Sequence, residues 1–167
     1  MTGRVRPAQG RDAAAIAAIM APFARETTIT FTSHERSPAE ISAALGQHLW
    51  LVWEALGGTV TGYAALSLFR TGPGYARVRE VSIGLSPSAR GKGQGRALMA
   101  ALEAAARRQG ITALLAAISG ENPGAQAFHA ACGFDPVGLL PGVGYKFGRR
   151  LDLVLMQKDL SPAERGG

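Results

Sequence analysis

The chain has 167 residues, of which 47% are hydrophobic and 18% charged, with 18 Lys plus Arg against 12 Asp plus Glu and a net charge of +6. That length suits one compact domain, and the composition excludes disorder of the low-hydropathy kind. The lone Cys132 excludes an intramolecular disulfide framework and a cysteine-based zinc site. The basic excess implies an anionic partner but does not by itself separate nucleic acid, a membrane surface and a phosphorylated small molecule.

Thr2 to Arg6 reads as a short strand. The uncharged stretch from Ala13 to Ala24 follows Arg4, Arg6 and Arg11 and has a superficial likeness to a signal peptide. Ile16, Ile19, Met20 and Phe23 instead trace the stripe of an amphipathic helix over 12–25, with Asp12 at the N-cap position. No apolar run is long enough to span a bilayer, so a cytoplasmic, soluble protein is expected. Thr27 to Phe31 is β-branched and aromatic, either extended or a packed loop. Ser37, Pro38 and Glu40 spell a capping box with proline in the first helical turn, opening a helix that ends near Gln47.

Leu49 to Leu56, Gly57-Gly58 and Thr59 to Phe69 form a hairpin signature. A strand from Arg77 to Leu85, a helix from Arg96 to Gln109, a buried strand from Ala113 to Ile118 and a helix from Asn122 to Ala131 follow. Strand returns from Phe134, ending with Leu151 to Met156. The pattern is an antiparallel sheet that takes on a βαβα insertion late in the chain, an α+β (mixed α/β) domain over residues 1–160, with 161–167 as a flexible tail.

The most informative stretch runs from Val81 to Leu98: a strand ends, Gly91, Gly93 and Gly95 crowd a turn, and a helix begins. Glycines let successive N–H groups converge on an anion, and a helix N-terminus adds its dipole. Arg90, Lys92 and Arg96 supply formal charge at the same point. The Walker pattern is absent, and the Rossmann fingerprint does not fit because several strands precede the loop. A plain surface turn with solvated arginines would leave the same residues.

Arg90-Gly91-Lys92-Gly93-Gln94-Gly95 resembles the [QR]-x-x-G-x-[GA] motif of the GCN5-related N-acetyltransferases. The segment from Asn122 to Phe134 is similar to that family's N-x-x-[AS]-x-x-[LF]-[YH]-x-x-x-G-F. The likeness covers Arg4 to about Leu160. It is nearest to phosphinothricin and methionine sulfone–sulfoximine acetyltransferases, through Glu26 to Phe31, His129 and the run from Lys146 to Asp152. The resemblance implies a largely antiparallel sheet of about seven strands with four helices, acetyl-CoA as acetyl donor, no metal and a homodimer.

Acetyl transfer from a thioester to an amine needs a neutral amine, a stabilised oxyanion and a proton for the departing thiolate. An α-amino group has a pKa of about 8, so a base helps at neutral pH. Glu80, one of two acids between residues 55 and 120, matches the family's general-base position; an ion pair with Arg77 or Arg79 is its alternative. His129 matches a proton-handling position of the subfamily, or else packs beside Phe128. Asn122 matches the residue that bonds the CoA arm, or caps its helix. The resemblance assigns the acetyl oxygen to backbone N–H groups between Ile83 and Leu85, with Gly84 between them, and the diphosphate to Arg90, Gly91, Lys92, Gly93, Gln94, Gly95 and Arg96. Phe31, Arg70 and Tyr75 match substrate-binding positions, or serve as core and surface residues. Cys132 reads as a structural thiol.

Three departures argue against phosphinothricin itself: Gly72 where relatives carry a second basic residue, Arg77-Val78-Arg79 in place of a polar run, and Arg150 in place of an aromatic. A small amino acid or analogue is the acceptor class expected. Acetylation of a protein N-terminus is the enzymatic rival, and a basic nucleic-acid-binding module the non-enzymatic one. Trp50 and Trp53 lie in an apolar strand away from the basic loop, which disfavours the last. Arg70 to Arg108 holds eight basic residues and two acids, the whole of the net charge. The excess is concentrated around the glycine loop, where a phosphate-rich cosubstrate would need it.

Overall fold

The computed structural model describes residues 2–161. Along the chain come β1 (Gly3–Pro7), α1 (Ala13–Glu26), α2 (Pro38–Leu45), β2 (Leu49–Ala55), β3 (Val60–Leu68), β4 (Val78–Leu85), α3 (Gln94–Arg108), β5 (Ala113–Ser119), α4 (Pro123–Ala131), β6 (Asp135–Lys146) and β7 (Arg149–Asp159). The seven strands form one sheet in the order β1-β2-β3-β4-β5-β7-β6. Only the β4–β5 pair is parallel. This is the mixed α+β architecture expected, with the parallel pair produced by the β4-α3-β5 crossover. No helix of the described residues is long and apolar enough to cross a membrane. The proposed tail lies outside the described residues except for Ser161.

Local chemistry explains most boundaries. Gly57 and Gly58 have φ of +88° and +85°, the left-handed pair that a tight hairpin between β2 and β3 demands. Ser37 accepts from the Glu40 amide and Glu40 reaches back to the Ser37 amide, closing the box at the start of α2. One expectation is corrected: Asp12 does not cap α1. It sits in a 3-10 turn, Gly10–Asp12, and its carboxylate accepts from the Gln9 amide and two Arg6 nitrogens. Residues 27–31 form a packed loop, and β7 extends well beyond the strand expected from Leu151 to Met156.

Alternation along the central strands splits the core into two layers. Leu51 and Trp53 of β2, Ala64 and Leu66 of β3 and Val81 of β4 pack on Leu98, Met99 and Leu102 of α3. Trp50 and Val52, with Tyr63 and Ala65, face the other way, onto Ile16 and Ile19 of α1 and Ile41 of α2. Trp50 and Trp53 are both buried.

The decisive feature is where pairing stops. Strands β4 and β5 are registered only from Val78↔Ala113 to Glu80↔Leu115. Beyond that point β4 stays with β3 as far as Leu85, and β5 stays with β7 as far as Ser119. The sheet opens into a wedge at its centre.

Candidate active site

A cleft of about 990 Å³ occupies the wedge and runs onto the face carrying α1 and α2. The Ser86 amide donates to the Thr61 carbonyl at 2.9 Å. Alternation in an antiparallel ladder therefore turns the peptide groups of Gly84, Ser82 and Glu80 toward β3. Those of Ile83 and Leu85 turn toward the gap, past the last β5 partner. By the same alternation the Glu80 side chain shares the α1–α2 face with Ser67, Ala65 and Tyr63.

Glu80 lines the cleft half-buried, with no ion pair or hydrogen bond to its carboxylate among the described residues. Arg79 turns instead to the carbonyls of Ala76 and Val78. Burial alone pushes the Glu80 carboxyl above its usual range.

The loop between β4 and α3 is built for close approach. Gly91 and Gly93 have φ of +70° and +76°, a region other residues rarely enter. Gly95 is needed for space: a β-carbon there would stand 3.2 Å from the Phe128 ring, where α3 and α4 meet. Gln94 accepts from the Thr61 hydroxyl at 2.9 Å, which ties the loop to β3. No acid occupies the first turn of α3, so its free amides keep their positive field. Arg90, Gly91 and Gly95 line the cleft; Lys92, Gly93, Gln94 and Arg96 belong to the same segment but not to its lining. Gap-facing amides, a glycine turn, a helix N-terminus and a basic rim fit a diphosphate-bearing thioester.

On the opposite wall Asn122 caps α4, its side chain accepting from the Ala125 amide at 3.1 Å. His129 sits edge-on between Phe128 and Phe134, with ring centroids 5.3 and 5.2 Å away. Its Nδ1 lies 2.8 Å from the Ala125 carbonyl oxygen, which can only accept, so Nδ1 carries the proton and the neutral ring keeps its lone pair on Nε2. Burial holds its pKa below the ordinary histidine value, against the opposing effect of that bond. His129 thus packs and lines the cleft at once. Cys132 is half-buried, and burial pushes its thiol up.

Ile83, Gly84 and Leu85 also line the cleft, whereas Phe31, Arg70 and Tyr75 do not. Arg70 is exposed and lies over the neighbouring Phe69 ring at 5.4 Å. Tyr75 meets the same ring edge-on at 6.0 Å. Phe31 packs over Gly144, although Thr30 and Thr32 beside it reach the cleft. Sequence reading missed Arg36, Trp50 and Tyr63, which do line it. Strand alternation from Glu80 through β3 could have flagged Tyr63; nothing in the sequence signals Arg36. Among the described residues no group of three His, Cys, Asp or Glu side chains suited to a metal is gathered.

The sequence model of the acetyltransferase (GNAT) family matches residues 17–134. The chain belongs to the GNAT acetyltransferase family. It is 40% identical over 112 residues to an L-methionine sulfoximine/L-methionine sulfone acetyltransferase of Pseudomonas aeruginosa, a match covering 67% of this chain and 65% of the relative. It is 34% identical to a phosphinothricin N-acetyltransferase of Alcaligenes faecalis over 96% of this chain and 84% of that one. Among solved structures, a GNAT superfamily phosphinothricin acetyltransferase of Sinorhizobium meliloti in complex with acetyl-CoA superposes with a TM-score of 0.91 at 33% identity, covering 100% of this chain and 93% of that one. This GNAT chain therefore shares the whole described fold with an acetyl-CoA complex, while its match to the methionine sulfone enzyme spans just under two thirds of that enzyme.

Proposed function

We propose that this GNAT protein transfers the acetyl group of acetyl-CoA to the amino group of a small amino acid or amino-acid analogue. The observation that carries the reading is the unpaired, half-buried Glu80 carboxylate in the same cleft as the gap-facing amides of β4 and the glycine loop. The acceptor class is supported by the methionine sulfone and phosphinothricin relatives.

Bound acetyl-CoA supplies an activated acetyl thioester. The first-turn amides of α3, the Gly91 to Gly95 backbone and Arg90 hold the diphosphate, with Lys92 and Arg96 adding charge from the rim. Asn122 bonds the pantetheine arm. The Ile83 and Leu85 amides donate to the acetyl oxygen, where negative charge grows during attack. Glu80 takes the proton from the ammonium, directly or through one water, and burial suits it to that task by raising its basicity. His129 accepts at Nε2 the second proton that the nitrogen loses as the N–C bond forms, and returns it to the thiolate as the C–S bond breaks.

Residues 1–160 form one catalytic unit in this reading, and the enzyme works in the cytoplasm, where a lone thiol stays reduced. A homodimer is supported by β6, an edge strand that exposes Val137, Leu139, Val143 and Tyr145 by 55–68%. Light scattering behind size-exclusion chromatography should give twice the monomer mass, and a Leu139→Lys/Tyr145→Lys variant the monomer mass.

The function is tested by thiol release from acetyl-CoA with methionine sulfone, methionine sulfoximine, phosphinothricin, ordinary amino acids, an arylamine and a peptide. Turnover with amino acids supports the reading; turnover confined to the peptide would replace it with N-terminal protein acetylation.

A further inference from the structure

Past Glu80 the cleft crosses the α1–α2 face, where Arg36, Trp50 and Tyr63 form part of its wall. Tyr63 is 5% exposed, yet its hydroxyl has no hydrogen-bond partner among the described residues. The phenol end lies directly over β4, because a β-carbon on Gly84 would stand 2.9 Å from its oxygen. The ring is braced by Trp50, with centroids 5.7 Å apart.

Arg36 lies over the Trp50 ring at 5.9 Å and makes one long bond, 3.3 Å, to the Glu40 carbonyl. No carboxylate pairs with its guanidinium among the described residues. Burial raises the Tyr63 phenol pKa to about 12 against the opposing charge of Arg36, which reaches it. Among the described residues the one acid that lines the cleft is Glu80. A guanidinium with free donors and a hydroxyl that has no protein partner, both on this wall of the cleft, are an arrangement that an anion completes.

We propose that Arg36 and the Tyr63 hydroxyl form the subsite that receives the carboxylate of the acceptor amino acid. Its amine is thereby directed at Glu80 and at the open edge of β4. The dimensions agree. Glu80 and Gly84 are four residues apart on one face, on the order of 13 Å along the strand. An amino acid plus one bridging water, joined by hydrogen bonds of about 2.8 Å, spans such a distance. The guanidinium fork offers paired donors to a carboxylate, and the phenol adds a third. Arg70, which the family likeness placed among the substrate-binding positions, stands outside the cleft. The subsite rests on the amino-acid acceptor reading above.

The test compares methionine sulfone with its α-carboxamide, which keeps the amine and side chain but loses the charge. Both are measured by steady-state kinetics and by calorimetry on the CoA-saturated enzyme, in wild type, Arg36→Gln, Arg36→Lys and Tyr63→Phe. Removing a bond to a charged group predicts that Arg36→Gln raises the KM and Kd of the amino acid about tenfold or more. The carboxamide constants and the KM for acetyl-CoA should stay within about twofold. Arg36→Lys should recover part of the loss, and Tyr63→Phe should shift the same ratio by a smaller factor. Equal losses for amino acid and carboxamide, or no loss in Arg36→Gln, overturn the subsite and leave the acceptor class standing. A wild type that binds acetyl-CoA but neither binds nor acetylates any amino acid overturns both.

Discussion

Tyr63 fills the space that a side chain on Gly84 would need: a β-carbon there would stand 2.5 Å from Tyr63 Cε1. The two residues are cross-strand partners in β3 and β4, and both are buried. Gly84→Ala therefore drives the ring into Trp50 or strains β4. Overpacking of this kind costs about 1–3 kcal/mol, read as a lower midpoint in urea unfolding. Combined with Tyr63→Leu, which vacates the hydroxyphenyl end, the alanine should cost much less than it does alone. Additive losses in the double variant would show that the contact is not what keeps position 84 a glycine.

Among the described residues Glu80 makes no bond that a glutamine would break, so Glu80→Gln should melt within a few degrees of wild type and bind acetyl-CoA unchanged. Its kcat should fall by about 10²–10⁴, the usual share of a general base. The ionised form accepts the proton, so the rate of wild type falls as pH drops through the Glu80 pKa. Burial raises that pKa above the ordinary 4.5, so the acidic limb should lie above that of an exposed glutamate. In the glutamine variant the limb should vanish from the pH–rate profile; a limb that persists assigns it to another group.

How much of this was legible beforehand differs by element. The hairpin glycines, the Ser37 box and the glycine loop each carry a local backbone requirement, and local requirements are written in local residues. The wedge between β4 and β5 is not local. It arises because β4 follows β3 while β5 follows β7, and no segment of sequence says where such a pair parts. Arg70 and Arg36 show the same limit at the acceptor end. Motif position favoured Arg70, but the chain turns it onto Phe69, while the segment before α2 brings Arg36 over Trp50. Asp12 was misread because its side chain satisfies Arg6, 6 residues earlier in β1, in place of the helix it precedes.

Lys146 is 3% exposed and has no carboxylate partner among the described residues. Its ammonium donates to the Thr30 carbonyl at 2.9 Å and the Phe23 carbonyl at 3.3 Å, tying β6 to the end of α1 and to the loop after it. Ile29, Thr30 and Thr32 of that loop wall the cleft. Lys146→Met keeps the volume and removes a desolvated charge, so global stability should change by less than about 1.5 kcal/mol. The loop loses its anchor: amide exchange at Ile29 and Phe31 should accelerate, and the KM for the amine should rise while that for acetyl-CoA holds. Unchanged exchange at Ile29 would remove Lys146 from this positioning role.

Arg6 joins two acids at the start of the sheet, pairing with Asp12 at 2.7 Å and Glu54 at 2.8 Å, and only 4% of the Asp12 side chain is exposed. Arg6→Met leaves Asp12 buried without its counter-charge, and breaking such a pair costs about 3–5 kcal/mol. The pH dependence should weaken as well. In wild type, bonding to Arg6 holds the Asp12 pKa below 3.8, so its contribution to stability is present above that value and is lost as pH falls through the depressed folded pKa. Without Arg6 the largest lowering cause is gone while burial still opposes the Gln9 amide and Arg11, so the folded pKa rises and the stability that ionised Asp12 contributes above 3.8 shrinks. Thermal melts between about pH 3 and 7 should therefore converge for the two proteins at the acid end and separate toward neutrality. Parallel curves across that range would mean that Asp12 is not held as a buried carboxylate by Arg6.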